Sequence, residues 1–146
     1  MKLNEAAAKI HEYICLNPET WASIEEKYRR ECDASSSAID AWQQALKHTK
    51  YSHSLDGATY TGNMKSIFVK SKLFDAIEPD ISKAVPGDLF LNETSNVVIY
   101  QGDGKVSGFI IDEFTSDLSY IYKGVVIDFY EDSWDVLLHY NGKADS

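Results

Sequence analysis

The spacing of apolar residues changes once along this 146-residue chain, and that change constrains the fold more than any other feature of the sequence. Before Pro79, apolar residues recur at the three- and four-residue intervals of amphipathic helices. After Pro79, short apolar runs separated by Gly, Asn and Asp predict strands joined by tight turns. Helices followed by a meander of strands predict an α+β fold, with helices on one face of an antiparallel sheet.

Four helices are predicted, over residues 3–17, 21–28, 34–46 and 61–74. Pro18 ends the first of them, because proline cannot continue a helix. The third carries small residues on its apolar stripe, which predicts close packing against a sheet. About five strands follow, over residues 88–91, 96–101, 105–112, 124–130 and 134–140. The last two are expected to pair with each other through a turn at 131–133.

The size and composition predict one domain over residues 1–146. The hydrophobic fraction of 44% and the aromatic fraction of 12% are those of a chain that builds its own core. Disorder is expected only at the polar C-terminal residues 143–146.

The charge is strongly acidic, with 14 Lys and Arg against 23 Asp and Glu and a formal net charge of -9. Such a field repels polyanions, so nucleic acid, anionic lipid and teichoic acid are excluded as default partners. The N-terminus has no apolar signal region, and no apolar run reaches the roughly 18 residues that a membrane span needs. We therefore expect a cytoplasmic protein, and the resemblance described below adds a phage-associated one.

The cysteines and histidines do not predict a metal site. Cys15 and Cys32 have no Cys-x-x-Cys spacing, and His11, His48, His53 and His139 are scattered along the chain. Neither a disulfide framework nor a zinc site is indicated, and no cofactor is predicted. Cys15 lies on the apolar side of the first helix and is expected to be a core thiol.

A series of short motifs from residue 21 to residue 140 resembles the NlpC/P60-type peptidoglycan hydrolases, especially their phage endolysin branch. The motifs are Trp21, Tyr28-Arg29, Asp33-Ala34-Ser35-Ser36, Thr61-Gly62-Asn63-Met64, Pro86-Gly87-Asp88-Leu89-Phe90-Leu91, Asn96-Val97-Val98-Ile99-Tyr100 and Gly102-Asp103-Gly104-Lys105. The specificity of the match lies in their order and spacing. The resemblance implies a papain-like fold and hydrolysis of an amide bond in the peptide stem of the bacterial cell wall.

The chemistry that the resemblance implies needs a cysteine at the start of the central helix and a histidine from the adjacent sheet. The helix dipole and a neighbouring imidazolium stabilise the thiolate, which attacks the amide carbonyl. The histidine then protonates the leaving amine. In this sequence Ala34 stands at the nucleophile position and Asn96 at the histidine position. Neither side chain can perform its role, so an inactive domain is predicted.

Other positions follow from the same resemblance. Asp112 is a candidate for the third polar residue, which orients the histidine in the family. The residues expected to line the substrate groove are Trp21, Asp33, Ser35, Tyr60 and Asn63.

Several residues offer alternative chemistry, and each also has a simpler explanation. Cys32 precedes the helix start, where the dipole is weak, and fits an ordinary thiol better than a nucleophile. His139 is the nearest candidate for a displaced base, and a structural hydrogen bond is the simpler role. Ser35, Ser36 and Ser37 are expected to be capping groups without a general base nearby. Asp88 and Asp103 are explained by turns.

Three hypotheses remain open at this stage. The first is an inactive, cell-wall-hydrolase-like domain that acts as a binding or structural module. The second is an active hydrolase whose nucleophile has been replaced; the additional loss of histidine at Asn96 argues against a single inactivating change. The third is an acidic domain that binds a protein partner or inhibits a hydrolase, which the charge favours over adsorption to an anionic wall.

Overall fold

The computed structural model describes residues 1–18, 33–114 and 120–145, with the backbone alone at residues 33, 111–114 and 120–122. Helices occupy the first half of the chain and strands the second. In chain order the elements are α1 (Leu3–Leu16), α2 (Asp33–Leu46), α3 (Thr61–Lys70), β1 (Phe74–Ile77), η1 (Ile81–Lys83), β2 (Leu89–Asn92), β3 (Asn96–Gly102), β4 (Lys105–Phe114), β5 (Tyr120–Asp128), β6 (Val136–Tyr140) and η2 (Lys143–Asp145). The α+β prediction is confirmed.

The sheet is antiparallel and open, with the strand order β1-β6-β2-β3-β4-β5. The described residues contain six strands rather than five. The predicted pairing of the last two strands is wrong, because β5 pairs with β4 while β6 inserts between β1 and β2. Val136, Leu137 and Leu138 explain this position: consecutive apolar side chains point to both faces of the sheet and are all buried, as suits a central strand.

The third described helix is shorter than predicted. It ends at Lys70, and Phe74 begins β1 instead of continuing the helix. Lys72 adopts a positive φ of 71°, a left-handed conformation that no helix interior allows. The chain therefore reverses at Lys72 and delivers Phe74 to the edge of the sheet.

The helices pack on one face of the sheet and form what we call the helix-side core. Trp42 of α2 is fully buried there, edge-on to Phe74 with ring centroids 4.8 Å apart and 5.1 Å from the Tyr140 ring. Ala38 and Ala41 of the same helix are also fully buried. Because their side chains are small, the α2 backbone approaches the strands closely, as predicted.

Loops cover the opposite face of the sheet and form what we call the loop-side core. Its buried members are Phe90, Val98, Val106, Trp134 and Leu137. Partly buried residues from segments 77–84 and 127–130 pack against them. Alternation along β3 divides its side chains between the two faces, with Val97 and Ile99 in the helix-side core and Val98 in the loop-side core.

The turn at residues 85–88 is fixed by contacts from two helices. The Trp42 indole donates to the Gly87 carbonyl at 2.9 Å, and the Asn4 amide donates to the Pro86 carbonyl at 2.8 Å. Gly87 has a φ of 96°, and a Cβ at this position would lie 2.5 Å from the Asn4 carbonyl oxygen. Only glycine fits here, and the turn then directs Asp88 into the sheet.

Residues 143–145 are ordered, contrary to the prediction of disorder over 143–146, and Ser146 lies outside the described residues. Residues Lys143–Asp145 form a 3-10 turn. One oxygen of Asp145 accepts from the Leu3 amide at 3.0 Å, and the other accepts from the Tyr140 hydroxyl at 2.7 Å. This carboxylate ties the end of the chain to the start of α1, which a sequence pattern cannot reveal.

Candidate functional site

The first turn of α2 carries the position at which the resemblance places a nucleophile. Ala34 is 8% exposed and belongs to the helix-side core, and Ser35 beside it is buried. The side chain at position 34 is a methyl group that packs against its neighbours. Chemistry at this turn must therefore come from the polar groups around it.

A buried chain of hydrogen bonds leads to this turn. Gln101 Nε2 donates to Ser107 Oγ at 2.8 Å, and Ser107 Oγ lies 2.7 Å from His11 Nδ1. On the other side of the ring, His11 Nε2 lies 3.0 Å from Ser37 Oγ, which donates to the Ala34 carbonyl at 3.1 Å. The assignment that uses these four contacts protonates Nε2 and leaves Nδ1 as an acceptor. The chain links β3, β4, α1 and α2.

Cys15 and His11 of α1 form a cysteine–histidine contact. The Cys15 sulfur lies 3.8 Å from both ring nitrogens of His11, and both residues are fully buried. Burial lowers the pKa of His11 to about 3 and raises the pKa of the Cys15 thiol well above its usual range. Both groups are therefore neutral near pH 7. The prediction that Cys15 is a core thiol is confirmed.

Ser37 has a histidine within hydrogen-bond reach, but the ring nitrogen that faces it carries the proton and donates, so it does not act as a base toward Ser37. Ser37 and His11 are both fully buried, so no substrate reaches them in this conformation. The Ser37 hydroxyl also bonds back to the Ala34 carbonyl within the helix instead of capping its first amides. The pair ties α1 to α2.

Asn96 is the first residue of β3, and its side chain belongs to the other side of the sheet. Its oxygen accepts from the Val97 amide at 2.8 Å, and its nitrogen donates to the Tyr130 hydroxyl at 3.4 Å. The Tyr130 ring packs against Trp134 in the loop-side core, with centroids 5.6 Å apart. Ala34 and Asn96 thus join different cores, and no described contact brings them together.

The remaining sequence-predicted positions do not assemble around Ala34. Asn63 caps the start of α3, accepting from the Thr59 and Tyr60 amides at 3.0 and 3.2 Å. The Tyr60 side chain is 57% exposed. Asp112 lies at a register shift between β4 and β5. Trp21 and Cys32 lie outside the described residues, as do the side chains of Asp33 and Asp112 and the whole of the helix predicted over 21–28.

A histidine–carboxylate pair, His139 and Asp88, lies where the turn at residues 85–88 enters the sheet. His139 Nδ1 is 2.6 Å from Asp88 Oδ2, and the other Asp88 oxygen accepts from the Tyr140 amide at 2.8 Å. Val85 N also donates to Oδ2, at 3.1 Å. Burial raises the pKa of the Asp88 carboxyl, and these three hydrogen bonds oppose that shift. The predicted structural hydrogen bond of His139 and the turn role of Asp88 are both confirmed.

The His139 side chain, unlike the Asp88 carboxylate, is partly exposed and lines a cleft. The cleft has a volume of about 290 Å³ and lies between the N-terminus of α1, Val85 and residues 139–145. Lys2, Asn4 and Asp145 contribute polar groups to it. We refer to it as the His139 cleft.

Two of these clusters were missed by sequence reasoning, because their members are distant in the chain. His11 is separated by 96 residues from Ser107, and Asp88 by 51 residues from His139. One local signal did exist for His11. It lies four residues after Ala7 and four before Cys15, which places it on the buried stripe of α1.

Within ranges 1–18, 33–114 and 120–145, no group of three His, Cys, Asp or Glu side chains is arranged to hold a metal ion. No helix in the same ranges combines the length and apolarity of a membrane-spanning segment. Neither a family profile, nor a curated protein, nor a solved structure matches this chain.

Proposed function

We propose that this chain is a cell-wall-hydrolase-like domain of NlpC/P60 type, papain-like in fold, that has no catalytic activity. It acts as a binding or structural module, and its ligand is a peptidoglycan peptide stem or a protein partner. The α+β architecture supports this proposal, since α2 packs on an antiparallel sheet and carries Ala34 in its first turn.

The buried Cys15–His11 contact carries the argument against activity. A cysteine hydrolase needs a thiolate and an imidazolium that a substrate can reach. Ala34 provides neither, and Cys15 and His11 are inaccessible and held neutral by burial. The described residues therefore supply scaffold contacts where the family would supply a nucleophile and its base.

The placement of Asn96 argues against the alternative of an active hydrolase with one residue replaced. Such an enzyme would keep a side chain at position 96 facing the start of α2. The Asn96 amide instead bonds Tyr130 in the loop-side core, while Ala34 packs in the helix-side core. Because positions 34 and 96 face opposite sides of the sheet, one replaced residue does not account for the lack of a catalytic pair.

The proposal is tested by incubating the protein with purified peptidoglycan. We expect no release of stem peptides by mass spectrometry. Sedimentation of the protein with the insoluble wall is expected if its ligand is the peptide stem, and none if its ligand is a protein. Tyr60→Ala should weaken sedimentation if the predicted groove is the binding surface. Tyr13→Ala is the matched control, since Tyr13 is 60% exposed on α1 and Tyr60 is 57% exposed. Any turnover would refute the inactive assignment.

A second experiment restores both catalytic residue types with Ala34→Cys and Asn96→His. We expect the double variant to remain inactive, because its two new side chains would face different cores. An intact-mass measurement establishes that both substitutions are present, and circular dichroism establishes that the variant is folded before assay. Wall lysis by this variant would mean that positions 34 and 96 do share a groove, and would favour the inactivated-hydrolase alternative.

A further inference from the structure

Two segments cross the face of the sheet that carries the loop-side core. Residues 78–88 join β1, at one edge, to β2 and pass β6 between them. Residues 129–135 join β5, at the other edge, to β6 and pass the three strands between them. Phe129 and Trp134 of this second segment pack on Phe90 of β2, with ring centroids 4.7 and 6.3 Å from its ring. We call the exposed side of these two segments the loop-side surface.

Apolar side chains remain partly exposed on the loop-side surface. Among the described residues, the loop-side core has five buried members and seven partly buried ones, whereas the helix-side core has 24 and six. The crossing segments contribute Ile81, Ala84, Phe129 and Tyr130 to the partly buried group. A partner that packs here would therefore bury further apolar area, which is the main favourable term in protein association.

Carboxylates accompany these apolar side chains. Segments 75–84 and 129–135 contain six Asp and Glu against one Lys. Segments 1–18 and 34–72, which we call the helix layer, instead carry seven Lys against four Asp and Glu. Of these four segments, the two beside the loop-side apolar residues therefore hold the excess of negative charge. Five of their six carboxylate side chains are exposed, namely Asp75, Glu78, Glu131, Asp132 and Asp135.

From this combination of apolar and acidic side chains, we propose that the loop-side surface binds a basic amphipathic segment of another protein. The apolar side chains of that segment pack on Ile81, Phe129 and Tyr130, and its Lys and Arg side chains pair with the exposed carboxylates. Apolar burial supplies most of the affinity, and the charges select the partner and speed its association.

Charge also favours a different protein over a second copy of this chain as the occupant. A second copy offers the lysines of its helix layer, but two copies that each carry a net charge of -9 repel one another. A basic partner is attracted by the whole molecule as well as by this surface. The inference uses neither Ala34 nor Asn96 and concerns a different surface from the predicted groove, so it is independent of the proposed function.

The test is fluorescence anisotropy of labelled peptides of about 18 residues, each added to the full chain. One peptide has Lys and Leu in the pattern of an amphipathic helix, the second replaces every Leu by Ser, and the third replaces every Lys by Glu. We expect saturable binding of the Lys/Leu peptide, about tenfold or more tighter than that of the other two, because it alone offers both charge and apolar area. Its affinity should fall as the salt concentration rises from about 0.05 M to about 0.3 M.

Two double variants test where the peptide binds. Glu131→Gln with Asp132→Asn removes two exposed carboxylates from the loop-side surface and should weaken binding roughly three- to tenfold. Glu12→Gln with Asp56→Asn is the matched control, because it removes the same charge from the helix layer, and it should change the affinity by less than about twofold. None of the four side chains belongs to either core, so both variants are expected to fold.

Each other outcome overturns the proposal. Equal affinity for the Lys/Leu and Lys/Ser peptides would mean that charge alone attracts the peptide, and equal affinity for the Lys/Leu and Glu/Leu peptides would remove the selection by charge. Equal effects of the two double variants would mean that the net charge, and not this surface, is responsible. Self-association of the chain alone at low salt, measured by analytical ultracentrifugation and lost in the Glu131→Gln, Asp132→Asn variant, would make a second copy the occupant.

Discussion

At the scale of single residues, His11 shows how a titratable side chain stabilises a core when it is neutral. Its two ring nitrogens contact Ser107 and Ser37, so neither nitrogen is left without a partner on burial. Adding a proton would place a charge among fully buried groups, which is why the pKa of His11 falls to about 3. The native state thus excludes a proton that the unfolded chain accepts.

This difference predicts loss of stability in mild acid. The unfolded chain binds a proton at His11 below about pH 6.5, whereas the folded chain does so only below about 3. Between these values the free energy of unfolding should fall by about 1.4 kcal/mol for each unit of pH decrease, and the His11 contribution is complete above about 6.5. Urea unfolding at several pH values measures the slope.

His11→Gln is the matched variant, since glutamine keeps polar atoms and does not titrate. The difference in free energy of unfolding between wild type and variant should become smaller as the pH falls. The carboxylates titrate in both proteins, so their contributions cancel in this difference. A gap that stays constant from about pH 7 to about pH 5 would show that His11 is not held neutral.

Side-chain contacts between single residues were the hardest feature to predict from the sequence. Cys15 was predictable as a core thiol because its local helical spacing marks the apolar side. The pairing of Asp88 with His139 was not, because it joins residues 51 positions apart. Motif order predicted that Ala34 and Asn96 stand at catalytic positions, yet the face to which each side chain points depends on strand alternation and packing.

At the scale of elements, α1 and β5 meet at a contact with no spare room. A Cβ built on Gly124 of β5 would lie 2.0 Å from the Cys15 carbonyl oxygen of α1. This oxygen belongs to helix backbone and cannot rotate away as a side chain would. Glycine at position 124 is therefore required for the helix to pack on this strand.

Gly124→Ala should consequently destabilise the protein by about 2 kcal/mol or more, because α1 must move off the strand. Thermal unfolding monitored by circular dichroism measures the loss. Gly57→Ala is the control, since its added methyl would meet only the end of the Ile67 side chain, at 3.0 Å. That side chain is partly buried and able to shift, so we expect a change within about 1 kcal/mol. Equal effects of both substitutions would contradict the close approach.

The elements themselves were largely predictable where a local signal ends them. Pro18 limits α1, and the Gly102–Gly104 turn separates β3 from β4, as expected. The start of β1 was not predictable, because Phe74 continues the helical spacing of Ile67 and only the reversal at Lys72 breaks it. The position of β6 was missed because strand order depends on pairing between distant segments.

At the scale of the whole molecule, the last strand of the chain completes the middle of the sheet. β6 pairs with β1 on one side and with β2 on the other. Without it, β1 has no neighbour, and the helix-side core lacks Val136, Leu138 and Tyr140. The sheet is therefore complete only when β6 has paired with β1 and β2, which are distant from it in the sequence. Folding thus depends on non-local contacts.

Removal of residues 136–146 should abolish cooperative folding. Four side chains of β6 are at most 5% exposed, namely Val136, Leu137, Leu138 and Tyr140. At about 1.5–3 kcal/mol for each buried apolar side chain, their loss is comparable with the entire stability of a typical domain. Ending the chain after Gly142 is the control, since it keeps β6 and removes mainly the two side-chain hydrogen bonds of Asp145 and the packing of Ala144, so it should cost about 1–3 kcal/mol. A cooperative thermal transition in the chain of residues 1–135 would show that β6 is dispensable, and would contradict its central place in the sheet.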